Sequence, residues 1–273
     1  MTSYRGWGGP SYRAYGSGGG GFGWALTRVV KKLILLNVAV FLLTLVLQLA
    51  SPPLAGAFVD WFGLAPQSFL FEFRLWQPLT YLFLHGGLAH IFFNMFGLWM
   101  FGGVLERDWG GRRFLRYYLV TGAGAGLFSV LVTTLSVKLG WLGAGGANLM
   151  HIPTIGASGA IYGILLAFGL LYPRQPIFLW FLFPVPARLF VLIFGVLTLF
   201  SALNAPGSGV SHVAHLGGML IGLGYLRGDG IFRGIRRGYT DWQLRRRRRD
   251  FEVYMREEDQ RSRDLPRPDR WIN

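Results

Sequence analysis

Long apolar segments separated by short polar or glycine-rich breaks dominate the middle of the chain. An α-helix needs about 20 mostly apolar residues to cross the hydrocarbon core of a bilayer, and segments near this length recur. They number six: Leu33 to Ala50, about Leu88 to Leu105, about Phe114 to Val137, about Gly156 to Tyr172, about Leu189 to Leu203, and about Val210 to Leu226. The pattern predicts an all-α membrane protein, a bundle of six transmembrane helices.

The stretch between the first two apolar segments, Leu54 to His85, has a different character. It is rich in aromatic residues, interrupted by prolines, and too mixed to be a span. Trp61, Trp76 and Tyr81 are residue types that favour the boundary between lipid and water. We therefore expect a long outer loop between spans one and two that lies in the membrane interface.

Both ends of the chain differ in composition from the middle. Residues 1–28 are rich in glycine and tyrosine and cannot bury a core, so they are expected to form a disordered cytoplasmic tail. Residues 227–273 are expected to form a basic cytoplasmic tail. Residues 29–226 then constitute one six-span domain.

Positive charge is distributed unevenly among the segments that join the spans. If both ends lie on one side, the outer connections hold only Arg74 and Lys138. The inner segments of the core hold the other basic residues, namely Arg28, Lys31, Lys32, Arg107, Arg112, Arg113, Arg116, Arg174 and Arg188. Because cytoplasmic loops carry an excess of lysine and arginine, both termini are predicted to be cytoplasmic. The expected location is the cell (cytoplasmic or inner) membrane, as an integral multi-pass protein.

The formal net charge of +14 raises the question of a nucleic-acid partner. Beyond Arg227, however, the basic run from Arg245 to Arg249 is mixed with nine carboxylates and several aromatic residues. This mixture favours a solvated segment attracted to anionic lipid over a nucleic-acid-binding segment. The lipid bilayer is therefore the expected partner of the tail, and no nucleic acid is expected.

Missing residue types exclude several kinds of chemistry. The chain has no cysteine, so disulfides, zinc–thiolate sites and cysteine nucleophiles are excluded. A transporter or channel, an alternative class for such a chain, is expected to carry intramembrane carboxylates or paired broken helices. No acidic residue lies between Trp109 and Gly228. Neither a cofactor nor a metal is expected.

Two reactive side chains lie in the predicted spans. Ser158 is near the start of the fourth span, and His215 lies roughly one to two turns into the sixth. A serine hydroxyl is a weak nucleophile unless an adjacent base takes its proton, and that base is most often histidine. His90 and Asn94 lie in the first two turns of the second span. Three helices that start at the outer surface therefore bring four polar side chains to a similar depth.

Helical spacing indicates which of these side chains share a face. His90 and Asn94 are four residues apart and share one helix face, as do Ser158 and Tyr162. Small residues flank the histidine of the sixth span, and Gly218-x-x-x-Gly222 offers a flat surface to another helix. Such close approach is required for a serine–histidine hydrogen bond across two helices, at roughly 2.6–3.2 Å between heavy atoms.

Four motifs surround these residues. They are Gly156-Ala157-Ser158-Gly159 with Tyr162, Ala214-His215-x-x-Gly218-x-x-x-Gly222, His85-x4-His90-x3-Asn94, and Gly102-Gly103-x-x-Glu106-Arg107-x-x-Gly110. Together they resemble the rhomboid intramembrane serine proteases in their six-span prokaryotic form, over about Val29 to Leu226. One departure lies in the outer loop, where many members have Trp-Arg and this chain has Trp76-Gln77.

The resemblance implies a serine-type endopeptidase with a Ser-His dyad. Ser158 would attack the scissile carbonyl, and His215 would take its proton and return it to the leaving amine. The backbone N–H of Ser158 and the side chains of His90 and Asn94 would hold the oxyanion. Tyr162 would pack against the imidazole and fix its orientation. The implied substrates are membrane-anchored proteins, typically single-span, cut near the outer ends of their spans.

Several alternatives remain open for individual residues. A catalytically inactive relative that binds membrane clients is the alternative function, although both Ser158 and His215 are present. His85 is expected to be structural or loop-anchoring, and neither His151 nor His212 is expected to be catalytic. One set of aromatic residues is expected to face lipid or pack, or else to form a gate between spans two and five: Phe92, Phe93, Phe96, Trp99, Trp180, Phe181 and Phe183.

No carboxylate is expected to complete a triad with Ser158 and His215. Spans three to six contain none, which leaves four candidates elsewhere in the core: Asp60, Glu72, Glu106 and Asp108. The first two belong to the outer loop, and the last two follow span two on the inner side, about 30 Å from the nucleophile. Packing by Tyr162 is then expected to orient the base.

Overall fold

A computed structural model describes residues 26–141, 146–179, 182–204 and 212–228, and its architecture is helical. The helices are α1 (Arg28–Ala50), α2 (Pro52–Phe62), α3 (Pro66–Phe71), α4 (Gln77–Thr80), α5 (Leu88–Gly97), α6 (Gly103–Trp109), α7 (Gly111–Lys138), α8 (Ser158–Leu171), α9 (Ala187–Asn204) and α10 (residues 212–228). Short 3₁₀ segments follow α4 (Tyr81–Phe83) and precede α8 (Gly146–Met150). The tails expected at residues 1–28 and 227–273 lie almost entirely outside the described residues.

Four helices of the described chain are long and apolar enough to cross a membrane. They correspond to predicted spans one, two, three and five: Arg28–Ala50, Leu88–Trp109, Gly111–Lys138 and Ala187–Asn204. Helix α8 has 14 residues, about 21 Å at 1.5 Å per residue, which is shorter than the hydrocarbon core of about 30 Å. The helical membrane architecture is confirmed, whereas six complete spans stay a prediction.

The second predicted span continues through charged residues that were expected to follow it. Helices α5 and α6 are joined by a π-helical segment, Leu98–Gly102, into one helix. Within it, Glu106 is buried and accepts the N–H groups of Val29 (2.9 and 3.1 Å) and Val30 (2.9 Å) and the hydroxyl of Thr27 (2.5 Å). Because the first N–H groups of a helix have no partner inside it, this carboxylate caps α1 and fixes its start beside α6.

The stretch between spans one and two, which was expected to be a long outer loop, contains a series of short helices. Helices α2, α3 and α4 each carry proline at their first or second position, where its fixed φ suits a helix and its missing N–H is not needed. The prolines therefore start helices instead of interrupting them. Trp61 and Trp76 are exposed, but Tyr81, which was expected at the interface, is buried.

Three side chains tie this outer segment to the end of α2. The buried amide of Gln77 donates to the carbonyls of Asp60 (3.3 Å) and Trp61 (3.4 Å), and the indole N–H of Trp76 donates to Trp61 (2.9 Å). Arg74 donates to the carbonyl of Asp60 (3.0 Å), and its guanidinium lies 4.6 Å from the centre of the Trp61 ring. Gln77 stands where the Trp-Arg motif has arginine, and Arg74 supplies a guanidinium that donates to the same carbonyl, that of Asp60.

The proline-rich connection between α8 and α9 forms a hairpin that was not predicted. Strands β1 (Pro176–Leu179) and β2 (Phe183–Pro186) pair antiparallel, with Pro176 opposite Pro186 and Ile177 opposite Val185. Proline is tolerated here because a two-stranded ribbon consists only of edge strands. The hairpin leads directly into α9.

Helix α8 is central to the fold, since nine of its 14 residues are buried. The glycine run of residues 122–126 in α7 contacts α8, α10 and the outer segment. Gly218 of α10 lies against the carbonyl of Gly159, and Gly222 lies against Gly163, with no space for a Cβ at either position of α10. The close helix approach predicted from Gly218-x-x-x-Gly222 is confirmed.

Candidate active site

Ser158 is the first residue of α8 and follows an irregular segment whose backbone is held by the outer helices. The N–H of Gly156 donates to the carbonyl of Tyr81 (2.9 Å), and Thr154 and Leu64 exchange two backbone hydrogen bonds (2.8 and 3.0 Å). Non-helical backbone is tolerated at membrane depth only where the protein satisfies its polar groups. The outer segment thereby fixes the point at which α8 begins.

Gly156 has a conformation and a neighbour that both require glycine. Its φ of +116° is rarely adopted by residues with a side chain. A Cβ at this position would lie 2.6 Å from Nε2 of His90, so the imidazole occupies the space that the glycine leaves. Tyr81, which holds the N–H of Gly156, is itself anchored by its hydroxyl, which donates to the carbonyl of Gly122 (2.6 Å).

Ser158 and His215 are brought together across two helices. Oγ of Ser158 lies 2.7 Å from Nε2 of His215, a hydrogen-bonding distance. The imidazole is buried, and no described residue makes a hydrogen bond to its other nitrogen, Nδ1. The glycine contact between α10 and α8 lies one turn away, so the packing of the two helices sets this distance.

Tyr162 lies one turn after Ser158, and its ring stacks on His215. The ring centroids are 4.2 Å apart and the planes differ by 5°. A nearly parallel contact over this distance restricts rotation of the imidazole about its χ angles. The two rings therefore lie face to face on the side of α8 that also carries the serine hydroxyl.

His90 and Asn94 lie on α5 near this pair, but no hydrogen bond joins either side chain to Ser158 in the described structure. Nδ1 of His90 accepts the N–H of Gly86 (3.4 Å), and its Nε2 lies against Gly156, two residues before Ser158. Asn94 is buried and donates one of its two amide hydrogens to the carbonyl of His90 (2.9 Å). His90 thus lies against the segment that precedes Ser158, Asn94 is bonded within its own helix, and neither side chain contacts the hydroxyl.

His85, which was expected to be structural, is a buried neighbour of His90. The two ring centroids lie 5.0 Å apart, and no described residue bonds to either nitrogen of His85. Burial, with a smaller contribution from the nearby imidazole of His90, lowers the pKa of His85 to about 4. At neutral pH it therefore packs as an uncharged ring.

Other polar residues of the bundle have different positions. His151 is exposed and lines an outer pocket with Asp60, Glu72 and Arg74, while the ring of His212 lies 6.0 Å from that of His215. No three His, Asp or Glu side chains of the described chain are arranged to hold a metal ion. One residue near the site was missed: Thr198 of α9, whose hydroxyl lies 3.2 Å from that of Tyr162. Its only signal in the sequence is a hydroxyl inside an apolar segment.

The arrangement is suited to acyl transfer. A hydroxyl bonded to a neutral imidazole can become a nucleophile when the imidazole takes its proton. Ser158 also occupies the start of a helix, where the N–H groups of residues 158–160 precede the first hydrogen bond of α8, from Ile161 to Ala157 (3.0 Å). These unpaired donors and the positive end of the helix dipole favour negative charge beside the nucleophile.

Comparison with known proteins shows to which family the chain belongs. The model of the Rhomboid domain matches residues 72–229, which is more than half of the chain and includes both Ser158 and His215. The chain is 31% identical to RHOMBOID-like protein 12, mitochondrial, of Arabidopsis thaliana over 61% of its own length and 53% of that protein. It is 33% identical to Rhomboid protein 1, mitochondrial, of Saccharomyces cerevisiae over 52% and 38% of the two chains.

A bacterial relative shows the same relationship. The chain is 32% identical to the rhomboid protease GluP of Bacillus subtilis over 59% of its length and 27% of that protein. The matched region thus covers about half or less of each of these three curated relatives. The match to the family model extends from the outer segment to the end of α10. On this match, the chain belongs to the rhomboid family.

Proposed function

We propose that this protein is an intramembrane serine endopeptidase that cleaves membrane-anchored proteins with a Ser-His dyad. The observation that carries the proposal is the 2.7 Å contact between Oγ of Ser158 and Nε2 of the buried, stacked His215. Burial of polar side chains within a membrane is energetically costly, so a buried hydroxyl–imidazole pair indicates a functional site. The relative GluP of Bacillus subtilis is a rhomboid protease by name, which supports the same activity.

In the proposed reaction, His215 acts first as base and then as acid. Nε2 accepts the proton of Ser158 as Oγ attacks the carbonyl carbon of the scissile peptide bond. The resulting imidazolium then donates this proton to the leaving amine, the C–N bond breaks, and an acyl-enzyme remains. Water, deprotonated by the same nitrogen, hydrolyses the ester and regenerates the hydroxyl.

The developing oxyanion would be held by donors at the start of α8 and on α5. The N–H of Ser158 belongs to the unpaired first turn of α8. The proposed side-chain donors are His90, which packs over Gly156, and Asn94, which retains one amide hydrogen. Tyr162 would keep the base aligned while the charge moves.

The dimensions of α8 support a cut near one membrane face. Its far end is marked by a hydrogen bond from the hydroxyl of Tyr172 to Asp108 and by Arg174, which are groups that favour water. Ser158 lies about 21 Å from that end, so it would lie about 10 Å below the opposite face of a core about 30 Å thick. The proposed substrates are membrane-anchored proteins, typically single-span, and a site at this depth would cut near the outer end of a span after local unwinding exposes a carbonyl.

The proposal can be tested by labelling with a serine-reactive fluorophosphonate and by cleavage of a set of single-span test proteins. In detergent, the wild-type protein should be labelled and should cleave at least one test protein, with the cut located by mass spectrometry. Ser158→Ala and His215→Ala should abolish both reactions while the melting temperature is retained, and Ser136→Ala in α7 serves as the control. Labelling of Ser158→Ala equal to that of the wild type would overturn the dyad.

A further inference from the structure

Most buried side chains of α9 lie near the start of the helix. Its first turn and a half packs through apolar side chains: Val191 lies where a Cβ of Gly169 would be, and the rings of Phe190 and Phe101 are 6.2 Å apart. From residue 192 to residue 204, Thr198 is the only described side chain that is buried, at 4% exposure, and most of its neighbours are exposed apolar groups. Between residues 192 and 204, Thr198 is therefore the buried contact to α8, while Gly195 faces the side chain of Met219 in α10.

The hydrogen bonds of Thr198 have a defined direction. Its hydroxyl lies 2.7 Å from the carbonyl of Phe194 and 3.2 Å from the hydroxyl of Tyr162. A threonine hydroxyl has one hydrogen, and the carbonyl of Phe194 can only accept. Thr198 therefore donates to Phe194, and the phenol of Tyr162 donates to Thr198.

This phenol is the same group that supports the base. The ring of Tyr162 stacks on His215 at 4.2 Å, and His215 contacts Ser158 at 2.7 Å. Stacking limits tilt of the imidazole but allows the tyrosine to slide in its plane. The bond to Thr198 fixes the far end of the ring and removes that freedom. It also leaves more electron density on the ring face that the imidazolium would meet, because the phenol is a donor.

We propose that Thr198 is a positioning residue, which acts on His215 through Tyr162 and makes the reactivity of the dyad depend on the docking of α9 against α8. This inference rests on the proposed function. Displacement of the second half of α9 would remove the partner of the phenol and misalign the base. A docked α9 is thereby coupled to an aligned imidazole through Thr198 and Tyr162.

Four single variants and one double variant test the inference in the full-length protein. Thr198→Val removes the hydroxyl at constant shape, and Thr198→Ser retains it. Tyr162→Phe removes the other half of the hydrogen bond but keeps the stacked ring. Thr134→Val is the matched control, because Thr134 is a buried hydroxyl of α7 with no hydrogen-bond partner in the described structure.

Cleavage of a single-span test protein and the rate of fluorophosphonate labelling are the two measurements. Thr198→Val should lower kcat and the labelling rate about three- to tenfold, the effect of one neutral hydrogen bond, with KM unchanged. Thr198→Ser should restore both rates, and Thr134→Val should equal the wild type. Because both changes remove the same bond, the double variant Thr198→Val/Tyr162→Phe should be no slower than the slower single variant.

Other outcomes separate this inference from the proposed function. If the wild type reacts and Thr198→Val has the same kcat as the wild type, the positioning role is wrong and the dyad stands. The same conclusion follows if the effects of Thr198→Val and Tyr162→Phe multiply in the double variant. A change confined to melting temperature or KM likewise contradicts it, since a merely structural threonine would act in that way. A wild-type protein that neither labels nor cleaves would overturn the proposed function and this inference together.

Discussion

At the residue scale, the acidic side chains of the described chain are all placed away from His215. Glu106 caps α1, Asp108 bonds with Tyr172, Glu72 pairs with Arg74, and Asp60 lies in the same outer pocket as that pair. A carboxylate beside the imidazole would also be costly to bury within the bundle. The proposed dyad would therefore rely on the stacked Tyr162 for alignment, where a soluble protease uses an aspartate.

His85 predicts a pH dependence of stability. Its folded-state pKa of about 4 lies below the 6.5 of an exposed histidine, so the unfolded chain takes up the proton first as pH falls. The contribution of a neutral His85 is complete above about pH 6.5 and is lost between pH 6.5 and about 4, up to about 3 kcal/mol. Melting of the purified protein measured across this range should show the loss.

The variant His85→Gln should melt with a flatter pH profile than the wild type. The exposed histidine variant His151→Gln controls for removal of one imidazole, and its profile should keep the wild-type slope. Identical slopes for wild type and His85→Gln would show that burial of this ring does not control the acid response.

At the element scale, Glu106 joins the start of α1 to the end of the α5–α6 helix. The carboxylate accepts two backbone N–H groups and one hydroxyl, all of them charge-assisted bonds at the positive end of a helix. We expect Glu106→Gln to lower the free energy of unfolding by about 1–3 kcal/mol, because the neutral amide accepts fewer and weaker bonds. The protein that folds should keep its kcat.

Thermal unfolding in detergent, with cleavage per folded molecule, measures both parts of this expectation. Glu72→Gln is the control, since it also neutralises one bonded glutamate but breaks only an exposed pair with Arg74, worth about 0–1 kcal/mol. Equal melting temperatures for the two variants would contradict the cap. A Glu106→Gln protein that is stable but inactive would instead assign the carboxylate to the reaction.

The contact between α8 and α10 requires glycine, which has no side chain, at position 218. A Cβ on Gly218 would overlap the carbonyl of Gly159, whereas a Cβ on Gly224 of the same helix meets nothing within 4 Å. Gly218→Ala should therefore separate the helices and lower the yield of folded protein, with loss of fluorophosphonate labelling. Gly224→Ala should be neutral or stabilising by up to about 1 kcal/mol, as alanine favours a helix. Normal folding of Gly218→Ala would mean that the helices can separate without cost.

At the scale of the whole molecule, one face collects the ends of several helices. Glu106 brings the start of α1 to the end of α6, and the bond from Tyr172 to Asp108 brings the end of α8 to the same place. The N–H of Arg188, at the start of α9, donates to the carbonyl of Pro173 (3.2 Å) beside them. The basic residues predicted to be cytoplasmic flank these helix ends, so this face is the expected inner one.

This arrangement predicts that both termini are cytoplasmic. Reporter domains fused after Gly23 and after Arg227 should both be scored as cytoplasmic, and a reporter inserted near Trp141, beyond α7, should be external. This expectation rests on the excess of lysine and arginine at the face that holds Glu106. An external score for either terminus would reverse the bundle and with it the side from which the proposed site is reached.

The local features of the chain were predictable from the sequence because they depend on short-range physics. Apolar runs locate the long helices, and glycine at every fourth position, as in Gly218-x-x-x-Gly222, indicates close packing without specifying a partner. A serine and a histidine inside apolar segments indicate chemistry because their burial is costly. The shared depth of Ser158 and His215 and the small residues around the histidine suggested that the two side chains meet, and the family resemblance supported the same pairing.

Other features were decided only by tertiary structure, because they join residues far apart in the chain. The cap on α1 comes from Glu106, 77 positions after Val29, and no local pattern distinguishes it from a charged loop residue. The prolines of the outer segment fit both a turn and a helix start, and the surrounding packing selects the helix. Thr198 meets Tyr162 only because α9 docks on α8, so a hydroxyl in an apolar run becomes a partner of the proposed site.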